Sequence, residues 1–170
     1  MSDRVFVFTF KEGLLSRVAH DLRLHVEPRG LHIRREGERV TAEFDVDAIV
    51  VDGAVARDGS LDVDALSRRD REKIVETIQT ELVPRRRHPK IRFDAQVRDE
   101  DGGARVVAEG TLELVGVRRP LTVALERADE RLRGRVSLRP SDFGITPYKA
   151  LAGAIRLQDR LVVELDLDPR

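Results

Sequence analysis

Val40-Thr41-Ala42-Glu43-Phe44-Asp45-Val46-Asp47-Ala48-Ile49-Val50 alternates apolar and polar side chains one by one through Ala48. Successive side chains of a β-strand point to opposite faces, so this stretch reads as a strand with one face buried and one in water. The same period of two recurs in Ile91-Arg92-Phe93-Asp94-Ala95-Gln96-Val97, Gly110-Thr111-Leu112-Glu113-Leu114 and Leu121-Thr122-Val123-Ala124-Leu125-Glu126. It returns in Leu132-Arg133-Gly134-Arg135-Val136-Ser137-Leu138-Arg139, in Leu161-Val162-Val163-Glu164-Leu165-Asp166-Leu167, and near the start in His20-Asp21-Leu22-Arg23-Leu24-His25-Val26. Residues 5–10 are apolar in both phases, as in a strand covered on both sides. Turn-forming groups separate the runs: Pro28-Arg29-Gly30, Glu36-Gly37, Asp101-Gly102-Gly103 and Ala128-Asp129-Glu130.

One segment breaks the period. Ile74, Val75, Ile78 and Leu82 fall on one face of a helix over about 67–82. Ser67 with Asp70 three residues on makes a capping box, and Pro84 ends the helix. The pattern predicts an all-β fold, a sandwich or barrel of roughly eight or nine antiparallel strands carrying this one amphipathic helix, with residues 1–170 as a single domain.

Composition removes several function classes. Lys+Arg and Asp+Glu both number 31, and that balance argues against a dedicated nucleic-acid binder, which relies on an excess of cations. The absence of Cys removes disulfides, thiolate metal sites and thiol catalysis. No apolar run is long enough for a signal-peptide core or a membrane-spanning helix, so a cytoplasmic location is expected. Metal binding is not expected either, because His20 and His25 point to opposite faces of one strand. Asp62-Val63-Asp64 also lacks the rest of a calcium loop.

By phase, Phe44, Val46, Ile91, Phe93, Leu112, Leu114, Val123, Leu125, Val136 and Leu138 face inward. Periodicity alone leaves open whether they pack on each other or line a cavity. His20 shares the inward phase of Leu22 and Leu24, and its imidazole suits either a backbone carbonyl or a ligand head group. Asp21 takes the opposite face, which argues against a nucleophilic triad with Ser16. Arg34-Arg35, Arg68-Arg69 and Arg85-Arg86-Arg87 read as solvated faces, with room for a transient contact to an anionic membrane surface.

Gly110-Thr111-Leu112-Glu113-Leu114-Val115-Gly116-Val117-Arg118-Arg119-Pro120-Leu121-Thr122-Val123 resembles the G-x-L-x-x-x-G-V-x-x-P signature of YceI-like proteins. Arg139-Pro140-Ser141-Asp142-Phe143-Gly144-Ile145 is similar to that family's Arg-x-Asp-Phe-Gly segment, with Pro140 shifting the Arg. Val115 stands where the family often has His. His88-Pro89-Lys90-Ile91-Arg92-Phe93 and the His20-Asp21-Leu22 segment also match, in the same order along the chain. The resemblance implies an antiparallel eight-stranded lipocalin-like barrel that binds a polyisoprenoid, an isoprenoid quinone or a fatty-acid-like lipid without catalysis. It implies no cofactor beyond such a bound lipid. The cavity would then be lined by His20, Leu22, Leu24, Phe143 and the ten inward residues above. The alternative is a filled barrel acting through its surface or as a homodimer.

Overall fold

The computed structural model describes residues 2–12 and 20–169. In chain order the elements are β1 (Arg4–Glu12), β2 (Asp21–Val26), β3 (Leu31–Glu36), β4 (Arg39–Asp45), β5 (Ile49–Val55) and β6 (Leu61–Asp62). The helix α1 (Arg68–Thr77) follows, then β7 (Lys90–Glu100), β8 (Arg105–Leu114), β9 (Val117–Ala128), β10 (Arg131–Leu138), β11 (Lys149–Ala150) and β12 (Ile155–Leu167). All twelve belong to one antiparallel sheet in the order β3-β4-β7-β8-β9-β10-β12-β1-β2-β5-β6, with β11 added beside β12.

The expected eight strands become twelve segments because the first long hairpin is bent. The register that pairs Leu31 with Phe44 continues across the bend to pair Val26 with Ile49. Between them the Glu27 amide donates to the Ala48 carbonyl at 2.9 Å. β2–β3 and β4–β5 are therefore two continuous strands, each interrupted by a 3-10 turn, at Pro28–Gly30 and Val46–Ala48. Gly30 permits the corner: a Cβ there would lie 2.2 Å from Ala48 Cβ. One half of this hairpin pairs with β1 and the other with β7, so the sheet curls back on itself as a lipocalin-like shell. Counted across the bend, its long strands number eight, and β6 and β11 are two-residue additions.

The β8–β9 connection is a two-residue turn with Val115 at φ 52° and Gly116 at φ 72°. Paired left-handed residues match the right-handed twist of a hairpin, and glycine adopts that conformation freely. A β-branched residue does not, and Val115 holds its position at a cost of about 1–2 kcal/mol.

Ser67 caps α1 as expected: its Oγ accepts from the Asp70 amide, and the Asp70 carboxylate accepts from the Ser67 amide. The helix does not run on unchanged to residue 82. Its last turn, Ile78–Leu82, widens to π geometry. This places Gln79, 6% exposed, at the barrel corner, where Nε2 donates to the Val46 carbonyl at 3.0 Å. Arg85 donates to Gln79 Oε1 at 2.8 Å, completing a polar latch. None of the α1 residues is fully buried; Ile74 and Val75, with Ile78 beyond them, pack on Leu22, Leu24 and Val51.

The charged residues lie mainly on the outer face in cross-strand pairs, such as Lys90 with Glu43 at 2.6 Å and Arg135 with Glu164 at 2.8 Å. β1 is the exception to the polar exterior. Val5, Val7 and Thr9 face the interior, and Phe6, Phe8 and Phe10 face out. Guanidinium groups cover these rings: Arg23 over Phe6 at 4.8 Å, Arg135 over Phe8 at 5.8 Å and Arg160 over Phe10 at 4.6 Å. Among the described residues, no helix is long and apolar enough to cross a membrane.

Candidate functional site: an apolar cavity with polar ends

The shell encloses a cavity of about 640 Å³. Every strand of six residues or more contributes to its wall, as do Ile74 of α1 and Ile78 and Leu82 beyond it. Twelve of the residues singled out by sequence lie on this wall: His20, Leu22, Leu24, Phe44, Ile91, Phe93, Leu112, Leu114, Val123, Leu125, Val136 and Leu138. Val46 and Phe143 do not. Both are packed, at 0% and 4% exposed, in a cluster with Val83, Leu112 and Leu114. Val46 sits in the corner turn and Phe143 in the 3-10 turn Pro140–Phe143, where strand alternation no longer decides which way a side chain points.

Sequence reasoning missed Val5, Val7 and Thr9 on β1, because Phe6, Phe8 and Phe10 made both phases apolar. It also missed the helix as part of the wall. The residues at i and i+4, Ile74 and Ile78, carried that signal.

The polar wall groups collect at the two ends of the cavity. At the end beneath α1 the wall includes His20, Asp70, Lys73, Thr77, Thr146, Tyr148 and Gln158. Lys73, Thr146 and Tyr148 are exposed, so the cavity meets solvent here. The Gln158 amide donates to the Lys11 carbonyl at 3.2 Å. The Asp70 carboxylate is engaged by the Ser67 hydroxyl at 2.6 Å and by the Ser67 amide, which hold its pKa below the usual range despite some desolvation. His20 makes no hydrogen bond or ion pair among the described residues. Asp21 faces away from the cavity and accepts from the Lys11 amide at 2.7 Å. Ser16 lies outside the described residues. His25 is on the outer face, 2.6 Å from Asp52, well apart in orientation from His20.

At the opposite end, among the β-hairpins, the wall includes Asp3, Arg35 and Asp168. The Asp168 amide donates to Asp3 Oδ1 at 2.8 Å, and Arg35 donates to Asp99 at 3.2 Å. Beside them Arg131, 2% exposed, donates to Asp166 Oδ1 at 2.8 Å and to the Ser2 carbonyl at 3.0 Å, tying both chain ends together. Burial pushes the Asp166 pKa up, but hydrogen bonds and charge from Arg131 and Arg4 outweigh it and leave it lowered. Between the ends the wall is aliphatic and aromatic, apart from Thr9, whose buried hydroxyl has no hydrogen-bond partner among the described residues.

The sequence profile of the YceI-like domain matches residues 20–168. A search of curated protein sequences gives no significant match. Among solved structures the chain is similar to BcnA of Burkholderia cenocepacia, with a TM-score of 0.61 at 10% identity, covering 96% of this chain and 94% of that one. It is also similar to a polyisoprenoid-binding domain from Saccharophagus degradans implicated in plant cell wall breakdown, with a TM-score of 0.60 at 9% identity over 96% and 91% of the two chains. A Campylobacter jejuni YceI protein gives a TM-score of 0.53 at 10% identity over 81% and 77%. At such identities these likenesses concern the fold, and the profile match over most of the sequence carries the assignment: the chain belongs to the YceI-like family.

Proposed function

We propose that this chain binds one long apolar molecule, a polyisoprenoid, isoprenoid quinone or acyl lipid, inside the shell and stores or carries it without catalysis. The observation that carries the reading is the cavity of about 640 Å³, apolar along its length, where an ordinary core would be filled with side chains. Burying each methylene contributes about 0.8 kcal/mol, so a long tail needs few polar contacts to bind tightly. The polyisoprenoid-binding domain among the structural neighbours supports the same ligand class.

Pick-up from a membrane would use the exposed Arg86 and Arg87, in the turn that follows the helix. Their charge suits an anionic lipid surface, and binding to phosphatidylserine vesicles that falls in Arg86→Gln/Arg87→Gln tests that role.

The function itself is tested by thermal unfolding with and without added isoprenoid quinone or fatty acid. A ligand at one hundred times its Kd adds about 2.7 kcal/mol, which for a chain of this size raises Tm by roughly 5–10 °C. No rise with any lipid of either class overturns the proposal.

A further inference from the structure

We infer that α1 is the door of the cavity: the ligand enters and leaves past this helix, and Gln79 sets the rate of exchange without setting the affinity. This rests on the lipid-binding reading above and adds to it how the site is reached.

The ladder of backbone hydrogen bonds that makes the shell passes from β1 to β2 and β5 and stops at β6, a strand of two residues. Beyond that edge the wall is continued by Leu66, Ile74, Ile78 and Leu82, which are held by side-chain packing. Parting two long strands breaks several backbone hydrogen bonds at once, whereas a helix that moves as a body keeps its own. β9 and β10 pair only at Arg131, Leu132 and Arg133. The buried cluster that contains Phe143 packs against Leu121 of β9 and Leu138 of β10 and closes that gap.

Few contacts tie α1 to the shell. None of its residues is fully buried, and among the described residues no ion pair joins it to a strand: Arg68 pairs with Glu72 of the same helix at 2.8 Å. From α1 itself Arg71 reaches the Asp52 carbonyl at 3.4 Å. Past its end Gln79 donates to the Val46 carbonyl at 3.0 Å and accepts from Arg85 at 2.8 Å, and this latch is the buried polar tie of the segment. The widened turn Ile78–Leu82 that carries the latch is the pivot; such turns interrupt the regular helical ladder. Lys73 of α1, Thr146 and Tyr148 are wall residues exposed to solvent, which places the opening beside the helix. Because the open state is a minor one, releasing the latch speeds entry and exit by the same factor and leaves their ratio unchanged.

The test follows association and dissociation of the neutral dye Nile red by stopped-flow fluorescence. Val51→Cys/Val75→Cys places two thiols where β5 and α1 pack, off the cavity wall and in a chain without cysteine. Bridged as a disulfide, or by dibromobimane where the thiols do not oxidise, this variant should exchange the dye at least about tenfold more slowly than its unbridged form, the loss expected when opening requires local release of the helix. Gln79→Leu should raise both rates about fivefold, the worth of one neutral hydrogen bond, with Kd held within about twofold. Equal rates in the bridged and unbridged forms, unchanged rates in Gln79→Leu, or a change there in affinity alone overturns the door and leaves the carrier reading standing. Failure of Nile red, oleate and an isoprenoid quinone alike to bind the wild type overturns both.

Discussion

Lengthening a neutral ligand one carbon at a time probes the cavity directly. On β12 the wall residues Leu157 and Leu167 lie ten positions apart. At about 3.3 Å per residue this is roughly 33 Å along the strand, and a tilt near 40° leaves about 25 Å along the barrel axis. An extended alkyl chain advances about 1.25 Å per carbon from standard bond geometry, so about twenty carbons fill that length. Each added methylene transfers about 0.8 kcal/mol of apolar burial, close to fourfold in Kd. Ordering the chain takes part of this back, leaving about two- to threefold per carbon. Titration of n-alkanols from decanol to tetracosanol, delivered from cyclodextrin, should show a steady gain in affinity that levels off near twenty carbons. Affinity that is flat between ten and sixteen carbons refutes a continuous apolar cavity. A gain that persists well beyond twenty-two carbons refutes its length.

Three further outcomes follow from the same geometry. Phe93→Arg puts a guanidinium on the cavity wall, which should abolish the lipid-induced rise in Tm; Arg92→Ala removes only exposed pairs such as that with Glu43 at 3.3 Å and should preserve it. Circular dichroism separates lost binding from lost folding in the first variant. Gln79→Leu removes one of the two hydrogen bonds to the Val46 carbonyl, which keeps that from the Ile49 amide, together with the acceptor of the Arg85 side chain, and should cost about 1–2 kcal/mol in urea unfolding; a loss below about 0.5 kcal/mol would mean the latch contributes nothing. Asp166 has its folded pKa lowered, so its stabilising contribution is complete above the ordinary aspartate value of about 3.9 and fades as pH falls through the lower folded value. The stability gap between wild type and Asp166→Asn should therefore be widest at neutral pH and close in acid; a gap independent of pH contradicts the Arg131 pairing.

Where strands are regular, alternation assigned the interior from single residues: Phe93 and Leu112 pair across β7 and β8 and both reach the cavity. It failed at Val46 because a three-residue 3-10 turn breaks the strand there, and the close approach of Gly30 that requires the turn is a long-range contact. At β1 hydrophobicity did not separate the faces, because Phe6, Phe8 and Phe10 are covered by arginines from β2, β10 and β12, partners set by tertiary pairing. The capping box was visible as a local motif, but the π turn was not, since its latch joins Gln79 to a carbonyl in the barrel corner. His20 was legible as an inward residue; Lys73 was not, because its place on the wall comes from where the helix lies over the shell.

Whether the cavity holds a guest is tested most directly by native mass spectrometry of the purified chain, followed by organic extraction. The lipid-carrier account predicts a population heavier than the polypeptide by one apolar molecule, recovered in the extract, or formed one-to-one when oleate or an isoprenoid quinone is added. A mass equal to the bare polypeptide under every loading condition would contradict it.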